Sequence, residues 1–450
     1  MKTRFLHFAD CHLGYRQYNN KERYNDFARG FFSVVDQAIQ EQVDFVILAG
    51  DLFEKRAIDA MTLNQAMRGL ENLRKANIPC IAVEGNHELA YQDEYMGWMK
   101  FLEQRELLIL LDPRFSEGVP QLAPYKNRRG SYIDLDQISW AHTQVPGVRV
   151  YGMKYRGSGT AKALEGYAKA LDKIDKTGVE YNIFVAHAGL EGVLAGHSGG
   201  LSFRQWSVIK PHIDYVAIGH IHKPFDEADW LYNPGSTETC TMTEAAWPKR
   251  GYYIVDVDTN RETKDEDDPK HAVTLYENPK RVFHRLTMKV DLHTTPEALT
   301  RHCEVFLKRR AADLLSSKNA KPGPLAQPVV ELQLTGTLAF DRRDFDIATI
   351  ETLVEEIFSP LVTRIKNQTN ASDFTIETNE HASRSELEKQ VLSGLMGQDA
   401  RYQGQNEAWA GLALSLKNLA LGGAGGEEIL DELAGQVEKL DSTPQQGTQP

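Results

Sequence analysis

The length, composition and charge of the chain exclude several classes of protein. Its 450 residues, 41% of them hydrophobic and 25% charged, fit about three globular domains rather than a fibrous rod or a disulfide miniprotein. A formal net charge of -12 argues against a protein that coats nucleic acid through bulk positive charge, but it leaves a site-specific contact open.

Two further absences in the sequence narrow the class. No apolar run approaches the roughly 20 residues of a membrane helix, and no signal-peptide core forms before Asp10, so we expect a cytoplasmic protein without membrane contact. The four cysteines are far apart and form no Cys-x-x-Cys pair, which indicates neither a disulfide framework nor a structural zinc site.

The first half of the chain alternates strand-like and helix-like segments. Short apolar runs predict strands over residues 4–9, 44–49, 78–83, 148–152, 181–186, 215–218, 230–232 and 252–258. Between the first three, apolar residues recur every three or four positions from Phe27 to Ile39 and from Leu63 to Leu73, which is typical of helices. Strands interleaved with helices predict βαβ units and a largely parallel sheet.

After Pro279 the pattern becomes that of a smaller α+β unit. Strands are predicted over 281–290, 329–338 and 374–378, helices over 295–315 and 345–358, and a loop over 318–327. Beyond residue 380 the pattern is helical. A capping box at Ser383 and Glu386 starts one amphipathic helix, leucine-rich spacing predicts two more, the glycine run 422–426 separates these two, and residues 442–450 are predicted to be disordered.

Five predicted strands are each followed directly by residues that can bind metal. These segments are Asp10-Cys-His12, Gly50-Asp51, Gly85-Asn-His-Glu88, His187 and Gly219-His-Ile-His222. One histidine after a strand is more often structural, but the carboxyl ends of the strands of an α/β sheet gather at one edge. We therefore expect the five segments to converge.

The ligand types in these segments indicate a pair of metal ions. Carboxylate, amide and imidazole donors together suit Mn, Fe or Zn better than Mg or Ca. Seven donors are too many for one ion of four to six ligands, so two ions that share a carboxylate are the simpler solution. Two ions about 3.5–4 Å apart can hold a hydroxide and clamp both oxygens of an in-line phosphoryl displacement, which favours phosphoester hydrolysis.

The ordered set Asp-x-His, Gly-Asp, Gly-Asn-His-Glu, His and Gly-x-His-x resembles the calcineurin-like binuclear metallophosphoesterase superfamily. Within it, residues 7–17, 48–53, 83–87 and 233–236 resemble the SbcD-type nucleases of DNA double-strand-break repair. The resemblance implies an α/β fold, a metallophosphoesterase β-sandwich flanked by helices, followed by a small α+β capping domain and C-terminal helices. The implied domains are a nuclease domain at 1–278, a capping domain at 279–380, a helical partner-binding segment at 381–441 and a disordered tail at 442–450.

The resemblance also assigns roles to single residues. It implies that Asp10, His12 and His222 bind one ion, that Asn86, His187 and His220 bind the other, and that Asp51 bridges them. The ions are expected to be Mn(II). His87 is implied to be a non-ligand acid that protonates or orients the leaving oxygen, with a purely supporting hydrogen bond as its alternative role.

Two residues inside these segments need separate interpretations. Glu54 stands where close relatives often have a histidine, and a carboxylate cannot stabilise an oxyanion as an imidazolium would. Either the rate or the metal preference therefore differs, or Glu54 points to solvent. Cys11 lies between two predicted ligands, but strand alternation would turn it to the opposite face, so we expect a buried structural thiol.

The resemblance implies three partners. The implied substrate is DNA, and the second implied partner is an SbcC-type SMC-like ATPase. The chain has no Gly-x-x-x-x-Gly-Lys-Ser/Thr phosphate loop, so we do not expect it to hydrolyse ATP itself. The helices after residue 383 are the expected docking segment, although packing on their own domain explains their apolar stripes equally well. A homodimer is also expected. Its candidate surface is the helices around residues 61–73 and 95–102, with Met96, Trp98, Met99 and Phe101 interpreted as exposed, against ordinary packing on the sheet.

Three functions fit the sequence. The leading hypothesis is a metal-dependent DNA exonuclease and endonuclease subunit of a double-strand-break repair complex. The second is a phosphodiesterase or phosphatase for small nucleotides or phosphoproteins, which would use the same ions. The third is a non-catalytic scaffold for an SMC-like ATPase, which the presence of every predicted ligand and of His87 disfavours.

Overall fold

The structure is a computed structural model. It describes residues 1–90, 96–194, 200–262, 268–291, 293–315, 325–371, 383–397, 402 and 404–441. The predicted strand at 374–378 and the predicted disordered tail at 442–450 lie outside these residues.

The described residues form strands and helices in the alternation that the sequence predicts. The strands are β1 Lys2–Phe8, β2 Phe45–Leu48, β3 Cys80–Ala82, β4 Ile109–Leu110, β5 Arg114–Ser116, β6 Val119–Gln121, β7 Tyr132–Asp134, β8 Val148–Met153, β9 Tyr181–His187, β10 Tyr215–Gly219, β11 Phe225–Glu227, β12 Leu231–Asn233, β13 Gly251–Asp258, β14 His271–Glu277, β15 Phe283–Lys289, β16 Val329–Leu338 and β17 Val362–Ala371. The helices are α1 Lys21–Gln40, α2 Ala60–Lys75, α3 Trp98–Gln104, α4 Thr160–Leu171, α5 Phe203–Trp206, α6 Pro296–Leu315, α7 Ile347–Phe358, α8 Arg384–Gly397, α9 Asn406–Leu421 and α10 Gly426–Asp441.

Two six-stranded sheets carry the first part of the chain. The first has the order β14-β13-β1-β2-β3-β4, in which β1 to β4 are parallel. β13 runs antiparallel to both of its neighbours, β1 and the edge strand β14. The second has the order β11-β12-β10-β9-β8-β7, with parallel central strands and an antiparallel strand at each edge. The prediction of one largely parallel sheet is therefore refined to two sheets with parallel centres.

Strand alternation places the two sheets face to face. Side chains of one parity, such as Phe5 and Ile47 from the first sheet and Ile183 and Ala217 from the second, share one fully buried core. Side chains of the other parity pack outward, against α1 and α2 on the first sheet and against α4 on the second. Successive residues of a strand point to opposite faces, so both faces of each central strand are buried. This confirms the predicted β-sandwich flanked by helices.

The later part of the chain forms a three-stranded sheet of order β15-β16-β17, accompanied in sequence by α6 and α7. The strand at Val362–Ala371 was not predicted. Its sequence Val-Thr-Arg-Ile-Lys-Asn-Gln-Thr-Asn-Ala alternates only weakly between apolar and polar residues, so the hydrophobic period that reveals a strand is faint.

The chain divides into two compact units. One consists of Met1–Leu286, Leu307–Leu332 and Glu351–Ile365, and the other of Thr287–Phe306, Gln333–Ile350 and Lys366–Pro450. The division passes through β15, α6, β16, α7 and β17, so the boundaries at 278/279 and 380/381 stay predictions. In the second unit α8 starts with the predicted capping box, because Ser383 and Glu386 exchange hydrogen bonds.

One expectation about the surface is wrong. Met99 is fully buried in the helix-side core of the first sheet, and Trp98 and Phe101 are partly buried against that core. Helical spacing alone could not separate these residues from exposed ones, since α3 is only seven residues long. Met61 and Met96 remain exposed, at 59% and 41%. Among the described residues, no helix is long and apolar enough to cross a membrane.

Candidate metal centre

The predicted ligands lie at the carboxyl ends of strands from both sheets. Asp10, Asp51 and Asn86 follow β1, β2 and β3 of the first sheet, whereas His187 ends β9 and His220 follows β10 of the second. The sites of α/β sheets form at such strand ends. The five segments therefore meet above the seam between two sheets, not at the edge of one.

The backbone at these positions adopts conformations that side-chain-bearing residues rarely take. Asp10, His12, Asp51 and His220 have φ values of 54°, 48°, 54° and 91°. Backbone of this kind is costly, at about 1–3 kcal/mol per residue, and it persists mainly at functional sites. Gly85 is required by close approach, since a Cβ there would lie 2.0 Å from Asp51 Oδ1. The strained backbone at these positions thus lowers the free energy of unfolding, but it brings these side chains together.

One group of donor atoms surrounds the amide oxygen of Asn86. Asn86 Oδ1 lies 3.1 Å from His187 Nε2 and 2.9 Å from His220 Nδ1. Asp51 Oδ2 lies 3.1 Å from the same His187 nitrogen. These four donors form one cluster, which we call the Asn86 cluster.

A second group is formed by Asp10, His12 and His222, and we call it the Asp10 cluster. His12 Nε2 and His222 Nε2 are 3.1 Å apart, and His222 Nε2 lies 3.9 Å from Asp10 Oδ1. Asp51 Oδ2 is 4.0 Å from His12 Nε2, so one carboxylate reaches both clusters. All seven predicted ligands are brought together, and Asp51 lies where a bridging residue should lie.

Burial and charge shift the pKa values of these groups. Burial alone would raise the pKa of the Asp51 carboxyl, but the neighbouring His187, His12 and His87 lower it well below its usual range. The pKa of His220 falls to about 4 because the ring is buried and lies beside His187. The ionised Asp51 and the neutral His220 are in the protonation states that metal binding requires. Burial alone would lower the pKa of the His187 ring, but the charge of Asp51 outweighs this effect and raises the pKa to about 9, so that ring must lose a proton when a metal binds.

The ring nitrogens that point away from the clusters have different partners. In the Asn86 cluster, His187 Nδ1 donates to the backbone carbonyl of Ala49 at 2.8 Å. In the Asp10 cluster, His222 Nδ1 donates to the Glu244 carboxylate at 2.9 Å. His12 Nδ1 lies 2.8 Å from Glu54 Oε2, without the alignment of a hydrogen bond. Glu54 is 23% exposed and contacts His12, so the alternative that it points to solvent is wrong.

His87 lies beside the centre and is held through its backbone and one ring nitrogen. Its backbone N–H donates to Asp51 Oδ1 at 3.0 Å, and its Nδ1 donates to the backbone carbonyl of Glu54 at 2.6 Å. The side chain is 36% exposed, and Nε2 lies 4.0 Å from Asp51 Oδ2. The ring is therefore anchored by one nitrogen, and the other is left at the accessible side of the centre.

Three residues around the centre were not predicted to take part. Glu88 is buried and accepts the backbone N–H groups of Phe53 and Gly85, which ties two ligand-bearing loops together. Burial and the charge of Asp51 raise its pKa to about 8. Glu244 is also buried, but the hydrogen bond from His222 and the charge of Arg250 outweigh the effect of burial and lower its pKa to about 2. Cys240 lies within 4.8 Å of the donor atoms of His12 and His222.

These three residues differ in how visible they are in the sequence. Glu88 belongs to the Gly-Asn-His-Glu segment, so its position was noted without a role. Glu244 and Cys240 follow no strand and carry no motif that would separate them from other polar residues. Cys11 is buried in an apolar cluster as expected, although β1 ends at Phe8, so it is the turn after the strand and not strand alternation that directs its side chain.

The donor set fits a pair of divalent cations. Nε2 of His222 faces Nε2 of His12 at 3.1 Å, while Nδ1 of His222 is held by the Glu244 carboxylate, so both Nε2 atoms are placed to bind one cation. Oxygen and imidazole donors are the ligands that first-row divalent metals prefer. Beside His220 opens a cleft of about 600 Å³, lined by Tyr155, Ser158, Thr160, Gln205 and several apolar residues.

Comparison with known families agrees with this geometry. Residues 3–224 match the calcineurin-like phosphoesterase family, so the chain carries a calcineurin-like metallophosphoesterase domain. Members of this family use two divalent metal ions, and the chain has the corresponding cluster of histidines and aspartates.

Within this class the chain is similar to archaeal proteins named DNA double-strand break repair protein Mre11. It is 30% identical over 247 residues to the protein of Archaeoglobus fulgidus, which covers 54% of this chain and 52% of the relative. It is 45% identical over 264 residues to that of Methanococcus maripaludis, covering 56% and 63%, and 28% identical over 261 residues to that of Saccharolobus solfataricus, covering 56% and 60%. The aligned segments thus cover 52% to 63% of the length of these relatives.

Proposed function

We propose that the protein is a metal-dependent DNA exonuclease and endonuclease that acts in double-strand-break repair. The observation that carries this proposal is the meeting of seven metal-binding side chains around the shared Asp51 carboxylate. The similarity to repair proteins named Mre11 favours DNA over small phosphoesters.

Each predicted ligand has a place in this proposal. Asp10, His12 and His222 would hold one Mn(II) ion, Asn86, His187 and His220 the other, and Asp51 both. When bound, two such ions activate a water nucleophile and stabilise the charge that develops on the phosphoryl oxygens. The chain fixes the donors in advance through buried backbone hydrogen bonds such as those from His220 N to Asp10.

His87 is proposed as the acid of the reaction. Its Nδ1 is anchored on the Glu54 carbonyl, so Nε2 is the ring nitrogen through which a proton would be transferred on the accessible side of the centre. A positioned imidazole of this kind protonates a leaving oxygen and contributes about 100- to 10,000-fold to the rate. Since the ring also contacts His12, at 4.8 Å between ring centres, its substitution must be tested for metal loss as well as for activity.

The helices α8 to α10 support a proposed partner of the SMC-like ATPase class, of the SbcC type. Leu395, Leu421 and Leu430 are 50%, 76% and 63% exposed, so these helices offer apolar side chains that a partner helix could cover. Other apolar side chains of α9, such as Leu412 and Leu414, are buried, so self-packing explains part of the stripe. A homodimer through the surface near Met61 and Met96 is proposed on the same kind of exposure.

The test compares substrates and variants side by side. Purified wild type, with and without Mn(II), is incubated with labelled single-stranded and duplex DNA and with p-nitrophenyl phosphate mono- and diesters. The nuclease proposal expects Mn-dependent DNA degradation that exceeds ester hydrolysis. Faster hydrolysis of the esters than of DNA would favour a small-substrate phosphodiesterase. If wild type binds no metal and Asp51→Ala matches it in every assay, the chain is a scaffold.

A further inference from the structure

The two donor clusters differ in the charge that supports their histidines. The Asp10 cluster contains one carboxylate of its own, and two more stand behind its rings: Glu54 beside His12 and Glu244 beside His222. In the Asn86 cluster the amide of Asn86 is neutral, and His187 Nδ1 donates a hydrogen bond to a backbone carbonyl. Both clusters share Asp51. Arg250 offsets part of this charge, since its Nη2 lies 3.5 Å from Glu244 Oε2. The three carboxylates outnumber this one guanidinium, so the Asp10 cluster lies in the more negative surroundings.

A carboxylate behind a ligating imidazole has a known physical effect. It fixes the ring and its tautomer, and it makes the facing nitrogen a stronger donor. A backbone carbonyl fixes the ring in the same way but adds no net charge. Two carboxylates on one side therefore stabilise a cation there more than a single carbonyl does on the other side.

Glu54 is the unexpected member of this arrangement. Its carboxylate lies 2.8 Å from His12 Nδ1, and its backbone carbonyl accepts the Nδ1 proton of His87 at 2.6 Å. One residue thus holds a predicted ligand through its side chain and the proposed acid through its backbone. A substitution of the side chain changes the first contact and leaves the second in place.

We propose that Glu54 and Glu244 are positioning residues that make the two metal positions unequal, so that the ion held by Asp10, His12 and His222 binds first and more tightly. This inference rests on the proposed two-metal function. It adds the order in which the two metal positions bind their ions and names the residues that determine this order. Glu54 acts through the charge of its carboxylate, because Oε2 lies 2.8 Å from His12 Nδ1 without forming an aligned hydrogen bond. Glu244 acts through an aligned hydrogen bond.

The experiment measures metal binding rather than catalysis. The full chain is freed of metal with a chelator and titrated with Mn(II), while the electron paramagnetic resonance signal of the free aquo ion reports the unbound metal. Wild type is expected to bind two ions in two classes. His12→Ala should remove the tighter class, and Asn86→Ala the weaker one.

The variants of Glu54 carry the test of mechanism. Glu54→Gln and Glu54→Ala should each weaken the tighter class by about tenfold, the usual loss when a carboxylate behind a ligating histidine is removed. The weaker class should be unchanged. Glu244→Gln keeps a hydrogen-bond acceptor and should weaken the tighter class less than Glu54→Ala does. Glu41→Gln is the matched control, since that half-buried carboxylate pairs with Arg4 away from the centre, and it should bind as wild type does.

The outcomes distinguish a failure of this inference from a failure of the proposed two-metal function. Equal affinity of the two ions, an unaltered tighter class in Glu54→Gln, or loss of the weaker class instead would overturn the inference and leave a two-metal enzyme. A wild-type chain that binds no Mn(II) would overturn the proposed function itself. The melting temperature of the metal-free variants is measured alongside, and an unchanged value shows that the loss of affinity does not come from unfolding.

Discussion

The strand-end loops of the sandwich and the helices α8 to α10 distribute polar and apolar side chains in opposite ways. In the loops, the ionisable groups Asp10, His12, Asp51 and His187 are at most 2% exposed. In the helices, Leu395, Leu421 and Leu430 are at least half exposed. Buried charge is costly unless it is paired, and exposed leucine is costly when it lies in a large patch.

The comparison shows that each region is suited to a different kind of ligand. In the loops, the histidine and carboxylate donors stand in groups whose atoms lie within 4.8 Å of one another, and the positive charge between them would come from the proposed metal ions. In the helices, the exposed leucines are apolar surface that the proposed partner would cover. Substitutions in the loops should therefore change the chemistry of the isolated protein strongly, whereas substitutions on the helices should leave it almost unchanged.

The largest effect is expected at the residue shared by both clusters. Asp51→Ala should lower Mn-dependent DNA degradation by roughly 1,000-fold, because several kcal/mol of transition-state stabilisation are lost and each 1.4 kcal/mol is a factor of ten. The rate on labelled duplex DNA at saturating Mn(II) measures this. Asp36→Ala, at an exposed position of α1, is the control and should retain the wild-type rate. A variant of Asp51 with more than a tenth of that rate would contradict a bridging role.

A somewhat smaller effect is expected at the accessible histidine. His87→Ala should reduce kcat by about 100- to 1,000-fold, within the range for loss of a general acid, while both Mn(II) ions still bind. The measurement pairs turnover on DNA with the Mn(II) titration of the same sample. If metal affinity falls in proportion to kcat, His87 only supports the ligands, as the alternative interpretation of its motif holds.

The sequence predicted the loops better than the helices, and the reason is physical. Each ligand such as Asp10 or Asn86 follows a short buried strand, so the period of the strand and the chemistry of the next residues coincide. What stands behind the ligands could not be predicted, because Glu244 and Cys240 reach His222 through tertiary contacts that no local pattern encodes. The same holds for β17, whose residues alternate weakly, and for Met99, whose helical spacing fits burial and exposure equally.

Acid should weaken the sandwich through a histidine far from the centre. His271 is buried between the hydroxyls of Tyr181 and Tyr232, at 2.6 Å and 3.0 Å, and burial lowers its pKa to about 4. In the unfolded chain the value is about 6.5. The unfolded state therefore binds the proton first, so stability is fully present above pH 6.5 and is lost as the pH falls towards 4.

The size of this effect is set by the same two pKa values. Between pH 7.5 and pH 5, the free energy of unfolding of the metal-free wild type should fall by about 2 kcal/mol more than that of His271→Gln. Urea unfolding at the two pH values measures the difference, and equal losses in both proteins would contradict it. The described residues of α8 to α10 contain no histidine, so this acid effect belongs to the sandwich and not to the helices.

The smallest effect on the isolated chain is expected at the exposed leucines of the helices. Leu430, 63% exposed in α10, makes few contacts that a serine would lose, so Leu430→Ser should change the free energy of unfolding by no more than about 0.5 kcal/mol and leave DNA degradation at the wild-type rate. Asp431→Ser, on the neighbouring exposed position, serves as the control for helix propensity. A loss of stability of several kcal/mol in Leu430→Ser alone would mean that the leucine packs within its own domain in solution. The proposed docking on an SMC-like ATPase would then lose its main support, because a leucine that is buried within its own domain offers no apolar surface to a partner.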